Sequence, residues 1–178
     1  DVPCYDLVGG QLYSNLPAYA NINRATSSRN PGGFADNAEA AVADGFKALK
    51  AAPFDGFPSL DSPAAEIQAA RELGIACVYA MRERVGADIA IKIDAHSFFD
   101  TQMSIDVAKE LEAANLSWYE EPIAPSQTEN TKVIHDAISQ TLAGGEFLFG
   151  VEGFRALCER KAVDIIMPDV KHCGGMWE

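Results

Sequence analysis

The sequence predicts an α/β fold of the (β/α) TIM-barrel type, and two observations support this prediction. Along most of the chain, apolar runs typical of buried strands alternate with segments of helical periodicity. Three of these runs close on Asp94, Glu120 and Glu146, which follow one another at steps of 26 residues, and a fourth closes on Asp169. One acid per strand–helix unit, at the carboxyl end of the strand, is how a parallel α/β barrel assembles an active site.

The composition is that of an ordinary globular protein, with 48% hydrophobic residues and a net charge of −12. This excess of acid argues against nucleic acid or an anionic membrane as a partner. The four cysteines form no CxxC pair, so we expect reduced thiols in a cytoplasmic protein. The amino terminus lacks the features of a signal peptide and begins with Asp1, which indicates a piece of a longer polypeptide.

We expect residues 1–16 to form a turn-rich lead-in and residues 17–178 to form one barrel domain. The predicted strands are residues 17–23, 47–50, 88–94, 116–120, 141–146 and 163–169. The predicted helices are residues 34–46, 63–85, 101–115, 126–140 and 149–161. Since an eight-unit barrel typically needs about 250 residues, this chain accounts for about six of the eight units.

Local signals refine the second and third helices. Ser62 is an expected N-cap with Pro63 in the first helical position, and Thr101 is the expected cap of the next helix. Gly74 is a candidate break within the second helix. The segments 24–33 and 52–61 are rich in turn-forming residues and are predicted to be irregular loops, the second of them over a site.

The acids at the strand ends predict a metal site. A hard divalent cation binds several carboxylate oxygens that converge from different directions, and Asp94, Glu120 and Glu146 would converge from three neighbouring strands. The alternative is that acids at strand ends only solvate the rim of the barrel. Glu121 competes with Glu120 for the middle position, because strand alternation does not fix which face points inward.

These motifs together resemble the enolase superfamily, in its mandelate racemase-like branch, and most closely the acid-sugar dehydratases of that branch. The resemblance extends over essentially the whole chain, and VPCYDLVGG (2–10) is similar to the segment that joins the family's amino-terminal capping domain, absent here, to its barrel. The segments that carry it are GFKALK (45–50), IDAH (93–96), YEEP (119–122), GGE (144–146) and MPDVKHCGG (167–175).

The resemblance implies that Asp94, Glu120 and Glu146 bind Mg²⁺, which favours Glu120 over Glu121. It also implies a first step in which a base removes the proton α to a carboxylate while the metal stabilises the resulting anion. Lys50 matches the first lysine of the Lys-x-Lys that racemases and cycloisomerases carry, but Ala52 stands where they have the second, which is usually the base. This departure weakens the racemase interpretation.

Further roles are implied in the same way. His96, in the Asp-x-His of the dehydratases, would be the general acid that protonates the departing hydroxyl, and Lys50 would assist electrostatically. Asp169 would orient a histidine base on strand seven, beyond residue 178. His172 resembles a histidine of the dehydratase motif, and Lys171 would neutralise Asp169 or a substrate carboxylate. Purely structural roles remain open for His96, Lys171 and His172.

Other polar residues near the predicted strand ends carry weaker expectations. Asn23, with Asn21 and Arg24, would contact a polyhydroxy substrate or order its own loop. Lys92 would face the barrel interior and pair with a metal ligand. His135 belongs to an outer helix, where a role in the site is not expected.

The leading hypothesis is a Mg²⁺-dependent hydro-lyase that converts an aldonate-like acid sugar to a 2-keto-3-deoxy acid, in a parent enzyme that is a homo-oligomer. Racemase, epimerase or cycloisomerase chemistry on a hydroxy or related carboxylic acid is the alternative, with Lys50 or Lys171 as a base. A third hypothesis is an inactive fragment that needs the missing strands and capping domain.

Overall fold

Six parallel strands form one sheet, and they follow one another in sequence order from edge to edge. This computed structural model describes residues 1–177. The strands are β1 (Ala20–Asn21), β2 (Ala48–Ala51), β3 (Ala90–Asp94), β4 (Trp118–Glu120), β5 (Leu142–Gly144) and β6 (Ile165–Ile166). A single parallel sheet in which each strand pairs with the next along the chain confirms the predicted α/β fold class.

A helix connects each strand to the next. The α-helices are α1 (Pro31–Ala43), α2 (Ala64–Val85), α3 (Thr101–Glu110), α4 (Thr128–Ala137) and α5 (Gly150–Arg160), with 3₁₀ turns at Cys4–Val8 and Glu112–Ala114. None of the described helices combines the length and the apolarity that crossing a membrane requires. The predicted strands at both ends of the sheet are longer than the two-residue strands that form there.

Side-chain alternation divides the strands into an apolar face and a polar face. Leu49, Ile93 and Tyr119 belong to the fully buried core between the sheet and the helices. Their neighbours in sequence point the other way, and the ladder between β3 and β4 sets Asp94 beside Glu120. The register thereby brings charged side chains from several strands to the carboxyl edge of the polar face.

Three helices begin differently from the prediction. Asn30 accepts a hydrogen bond from the Gly33 amide, so α1 begins at Pro31 and residues 31–33 are its first turn rather than loop. Asp100, not Thr101, caps α3 through the Met103 amide. The second helix begins at Ala64, and Pro63 precedes it without a side-chain capping bond, so the Ser62 cap was wrong.

Gly74 does not break α2, because its missing side chain serves packing. The helix runs unbroken through this position, and a Cβ built there would lie 2.2 Å from Cε1 of Phe54. Phe54 is buried and packs edge-on against Phe99 at a ring-centroid distance of 5.0 Å. The glycine therefore lets the loop after β2 lie directly against α2.

Gly74→Ala is expected to destabilise the protein although alanine is the better helix former. Overpacking against Phe54 costs about 1–3 kcal/mol, and the gain in helix propensity returns only about 1 kcal/mol. Gly153→Ala in α5 is the matched control, since its added Cβ meets no atom closer than 3.4 Å and the gain alone is expected. Denaturant unfolding measures both, and equal stabilisation would contradict the packing role of Gly74.

His135 joins α4 to the end of the sheet rather than to the strand-end acids. Its two ring nitrogens lie 3.2 Å from Asp136 Oδ1 and 3.1 Å from Asp164 Oδ1. Asp164 in turn accepts a hydrogen bond from the Leu142 amide of β5 at 2.8 Å. Partial burial alone lowers the pKa of His135, but the two carboxylates outweigh it and raise the pKa above its ordinary value.

A raised histidine pKa stabilises the fold below the unfolded value of about 6.5, and this contribution is lost as pH rises through the folded value. The difference in unfolding free energy between wild type and His135→Asn is therefore expected to be largest below pH 6.5. It should be at most about 1 kcal/mol, because the pair is partly exposed, and it should shrink as pH rises through the folded value. Urea titrations at several pH values measure it, and a constant difference would contradict the assignment.

Candidate active site

A polar pocket of about 250 Å³ opens at the carboxyl ends of β1, β2 and β3. In a parallel α/β sheet this is the edge where ligands bind, because the loops after several strands meet there. The pocket combines amide, guanidinium, ammonium, imidazole and carboxylate groups. Its lining residues are Asn21, Asn23, Arg24, Lys50, Ala51, Ala52, Asp94, His96 and Glu146.

The Lys50 ammonium lies between two buried carboxylates. Its Nζ is 2.9 Å from Asp94 Oδ2 and 2.6 Å from Glu120 Oε1. Burial alone lowers the pKa of Lys50, but the charge of Asp94 and the contact with Glu120 raise it above its ordinary value, so the amine stays protonated. Lys50 is therefore placed as a fixed positive charge.

The two carboxylates respond differently to the same lysine. Burial opposes ionisation of Asp94, but hydrogen bonds and charges from His96 and Lys50 lower its pKa to about 2. Glu120 is fully buried, and burial together with the charge of Asp94 raises its pKa to about 7 despite Lys50. Its second oxygen, Oε2, accepts a hydrogen bond from Trp118 Nε1 at 3.0 Å.

Glu121, the neighbour that competed with Glu120 in the sequence, points to a different place. Its Oε1 accepts hydrogen bonds from the backbone amides of Gly145 and Glu146, at 2.7 and 3.1 Å. Burial raises the pKa of Glu121 above its ordinary value, against the two amide hydrogen bonds that lower it. Glu120 thus contacts Lys50, whereas Glu121 contacts the turn that follows β5.

His96 bridges two carboxylates at the wall of the pocket. Its Nε2 lies 3.1 Å from Asp94 Oδ2 and its Nδ1 lies 2.5 Å from Asp55 Oδ1. The contact with Asp94, followed by that with Asp55, outweighs burial and raises the pKa of His96 to about 9. The backbone of His96 and Ser97 is left-handed, with φ of 46° and 59°, which turns the chain sharply after β3.

Asp94, His96 and Glu146 form the one cluster of potential metal ligands among the residues that the structure describes. One ligand atom of each lies within 4.8 Å of the others. The carboxylates of Asp94 and Glu146, open to a pocket, suit a divalent cation. Glu120 lies outside this cluster, and its two oxygens contact Lys50 and Trp118.

The side chain of Asn23 links its own loop to the loop after β2. Its amide nitrogen donates to Asp55 Oδ2 at 2.8 Å, and its Oδ1 accepts from Arg29 and from the Ala52 amide. Arg29 also donates to the Ala52 carbonyl at 2.5 Å and lies 3.6 Å from Asp55. Asn21, whose Oδ1 accepts a hydrogen bond from the Asn23 amide at 3.2 Å, and Arg24 also line this side of the pocket.

Asp169, Lys171 and His172 lie on the loop after β6 and do not line this pocket. Asp169 accepts a hydrogen bond from the Lys171 amide at 2.8 Å, which lowers its pKa, and the Lys171 Nζ is 3.5 Å away. His172 donates from Nδ1 to the Glu146 carbonyl at 2.9 Å and stacks on Phe147. His172 therefore contacts the backbone of Glu146, a member of the candidate metal-ligand cluster, from outside the pocket.

Lys92 faces the barrel interior as expected, but it has no carboxylate partner among residues 1–177. Its Nζ lies over the rings of Trp118 and Tyr19, at 4.7 and 5.4 Å from their centroids. The predicted pairing with a metal ligand was therefore wrong. In the ladder Lys92 lies opposite Trp118, so a cation–π contact forms across neighbouring strands.

Sequence reasoning missed Asp55, Arg29 and Trp118. Asp55 belongs to the loop 52–61, whose composition indicated a segment over a site, but no pattern singled out its carboxylate. Arg29 lies in the loop predicted as irregular. Trp118 shares a strand face with Glu120, and this two-residue spacing is the signal that would have found its contact.

Comparison with known proteins decides the family. Residues 33–178 match the family described as enolase C-terminal domain-like. The chain belongs to this family. The resemblance to the enolase superfamily read from the strand-end motifs is thereby confirmed.

Individual relatives include D-gluconate dehydratase of Thermoproteus tenax, 33% identical over 98% of this chain and 34% of its own length. D-xylonate dehydratase of Haloferax volcanii is 31% identical over 100% of this chain and 44% of its own length. A crystal structure of an enolase superfamily member from Salmonella Typhimurium matches with a TM-score of 0.89 and 28% identity, over 99% of this chain and 48% of its own. D-galactarolactone cycloisomerase of Agrobacterium fabrum, 28% identical over 97% and 42%, is also similar. The chain thus spans less than half the length of these proteins.

Lys50→Met is expected to lower the unfolding free energy by about 3–5 kcal/mol near neutral pH, because Asp94 and Glu120 lose their buried counter-ion. Lys47→Met is the matched control: Lys47 is exposed, and its replacement should change stability by less than about 0.5 kcal/mol. Chemical denaturation without added divalent cation measures both. A loss at Lys50 no larger than at Lys47 would contradict the role of this charge.

Proposed function

We propose that this chain is the part of the barrel whose strand ends form the active site of a divalent-cation-dependent acid-sugar dehydratase. Such an enzyme converts an aldonate to a 2-keto-3-deoxy acid. The observation that carries the proposal is the joint placement of Asp94, His96 and Glu146 at one pocket, with a fixed ammonium behind Asp94. Relatives named as dehydratases of gluconate and xylonate support an aldonate as the substrate class.

The metal site of the proposal is built from carboxylates. Asp94 and Glu146 would hold the cation, Mg²⁺ by the chemistry of its oxygen ligands, with Glu120 as the third carboxylate once Lys50 yields its contact. When bound, the cation supplies electrostatic stabilisation for the negative charge that develops on the substrate carboxylate. Lys50 supports this by adding a second positive charge next to Asp94.

His96 is suited to be the general acid of the dehydration. It carries a proton at neutral pH, because both neighbouring carboxylates stabilise the imidazolium. As the bond from carbon to the departing hydroxyl breaks, His96 would transfer its proton to that oxygen and release water. Asp55 holds the ring by its other nitrogen, as a partner that fixes orientation.

Lys50 supports dehydration over racemisation or epimerisation for a specific reason. With Lys50 or Lys171 as a base, that reaction needs an amine that can accept a proton near neutral pH. Lys50 is held as an ammonium by two carboxylates, and Ala52 has no basic side chain. Lys171, the other candidate base, lies outside the pocket.

The chemistry is tested on the native polypeptide that contains these residues, with Mg²⁺ and a panel of aldonates in D₂O. We expect a 2-keto-3-deoxy acid to form, and EDTA to abolish its formation. His96→Asn should lower the rate of dehydration by about 10²–10⁴-fold while exchange of the α-proton for deuterium continues. His135→Asn, the control histidine, should change neither rate by more than about two-fold.

Mass spectrometry and proton NMR of the products separate the outcomes. Exchange at the α-carbon without loss of hydroxyl by the wild type would contradict dehydration and indicate racemase or epimerase chemistry. Equal loss of exchange and dehydration in His96→Asn would contradict its role as the acid of the second step. Neither product nor exchange with any aldonate would refute the proposed function.

A further inference from the structure

Glu121 is a buried acid that the proposed chemistry does not use. It follows β4 directly, is 4% exposed and adopts a left-handed backbone with φ of 38°. For a residue with a side chain this conformation is strained, and strain of this kind persists only where surrounding contacts determine it. Glu121 is therefore held in place by specific contacts.

Those contacts extend to the turns on both sides of β4. The carboxylate of Glu121 accepts hydrogen bonds from the amides of Gly145 and Glu146 after β5. The backbone amide of Glu121 donates to the Ala143 carbonyl at 3.0 Å. On the other side its carbonyl accepts a hydrogen bond from the Ser97 amide at 2.7 Å, in the turn that presents His96.

The fit between Glu121 and β5 is close. A Cβ built on Gly144 would lie 3.3 Å from Glu121 Cγ, tighter than most real contacts of this kind. Gly145 has φ of 111°, a backbone conformation that glycine adopts without strain. The two glycines thus let the chain wrap around the Glu121 carboxylate immediately before Glu146.

We propose that Glu121 is a positioning residue that fixes Glu146 for binding of the divalent cation, and so acts through Glu146 rather than as a ligand. This inference rests on the metal site of the proposed function. Both partners of Oε1 are backbone N–H donors, so the role requires an acceptor oxygen at that point and does not require a negative charge. A glutamine offers the same acceptor, whereas a leucine of similar size leaves the amides of buried Gly145 and half-buried Glu146 without this partner.

The test measures the affinity of the full chain for Mn²⁺ alone, from the electron paramagnetic resonance signal of the free ion. Glu121→Gln is expected to bind within about three-fold of wild type, and Glu121→Leu about ten-fold or more weaker, the range seen when a partner of a ligand is removed. Glu120→Gln and Glu146→Gln report loss of a ligand itself. Glu159→Gln, on the exposed face of α5, is the matched control.

A second measurement keeps the test independent of how well Glu121→Leu folds. Hydrogen–deuterium exchange by NMR should show the Gly145 and Glu146 amides protected in wild type and in Glu121→Gln. Rapid exchange of both amides in the wild type would overturn the proposal.

Two affinity results would also overturn it. Wild-type affinity in a folded Glu121→Leu would remove the positioning role, and a loss in Glu121→Gln as large as in Glu146→Gln would make Glu121 a ligand. Unchanged affinity in Glu146→Gln would instead refute the metal site of the proposed function itself.

Discussion

The Lys50 ammonium between Asp94 and Glu120 is the interaction on which the carboxyl edge of the sheet depends. The parallel register sets the two acids side by side on β3 and β4, and both are buried. Two carboxylates cannot remain ionised so close together in a poorly solvated place without a cation. A lysine from β2, the strand next to β3, supplies this cation and offsets part of the repulsion between the two acids.

The rest of the site is formed by loops, and hydrogen bonds from polar side chains hold these loops in place. Arg29 and Asn23 hold the chain after β2, which places Asp55 against His96. Glu121 does the same for the turn after β5. Loops of this kind carry function because a rigid sheet fixes their ends. Here the polar side chains that fix the loops and those that would do chemistry are direct neighbours.

The parallel sheet and the acids at its edge could be predicted because both follow from a period along the sequence. The partners of those acids could not. His96 meets Asp55, 41 residues earlier, only because the two loops adopt particular conformations, and two left-handed residues turn the chain at His96. Gly74 was misjudged for a similar reason: helix propensity marks a glycine as weak, whereas the deciding contact comes from Phe54 on another element. Side-chain alternation along β3 predicts that Lys92 faces inward, but its contact with Trp118 depends on the register between β3 and β4.

The contrast between Asp94 and Glu120 bears on which acids would bind a cation. Asp94 is touched by Lys50, by the imidazole of His96 and by the His96 amide, and its low pKa makes it an anion at every physiological pH. Glu120 shares one lysine with Asp94, and burial together with the charge of Asp94 raises its pKa above the ordinary value despite this contact. A second positive charge at this edge would complete the ionisation of Glu120 and loosen its dependence on Lys50. Glu120 can therefore lie outside the cluster that the side chains form by themselves and still be the acid with most to gain from a divalent cation.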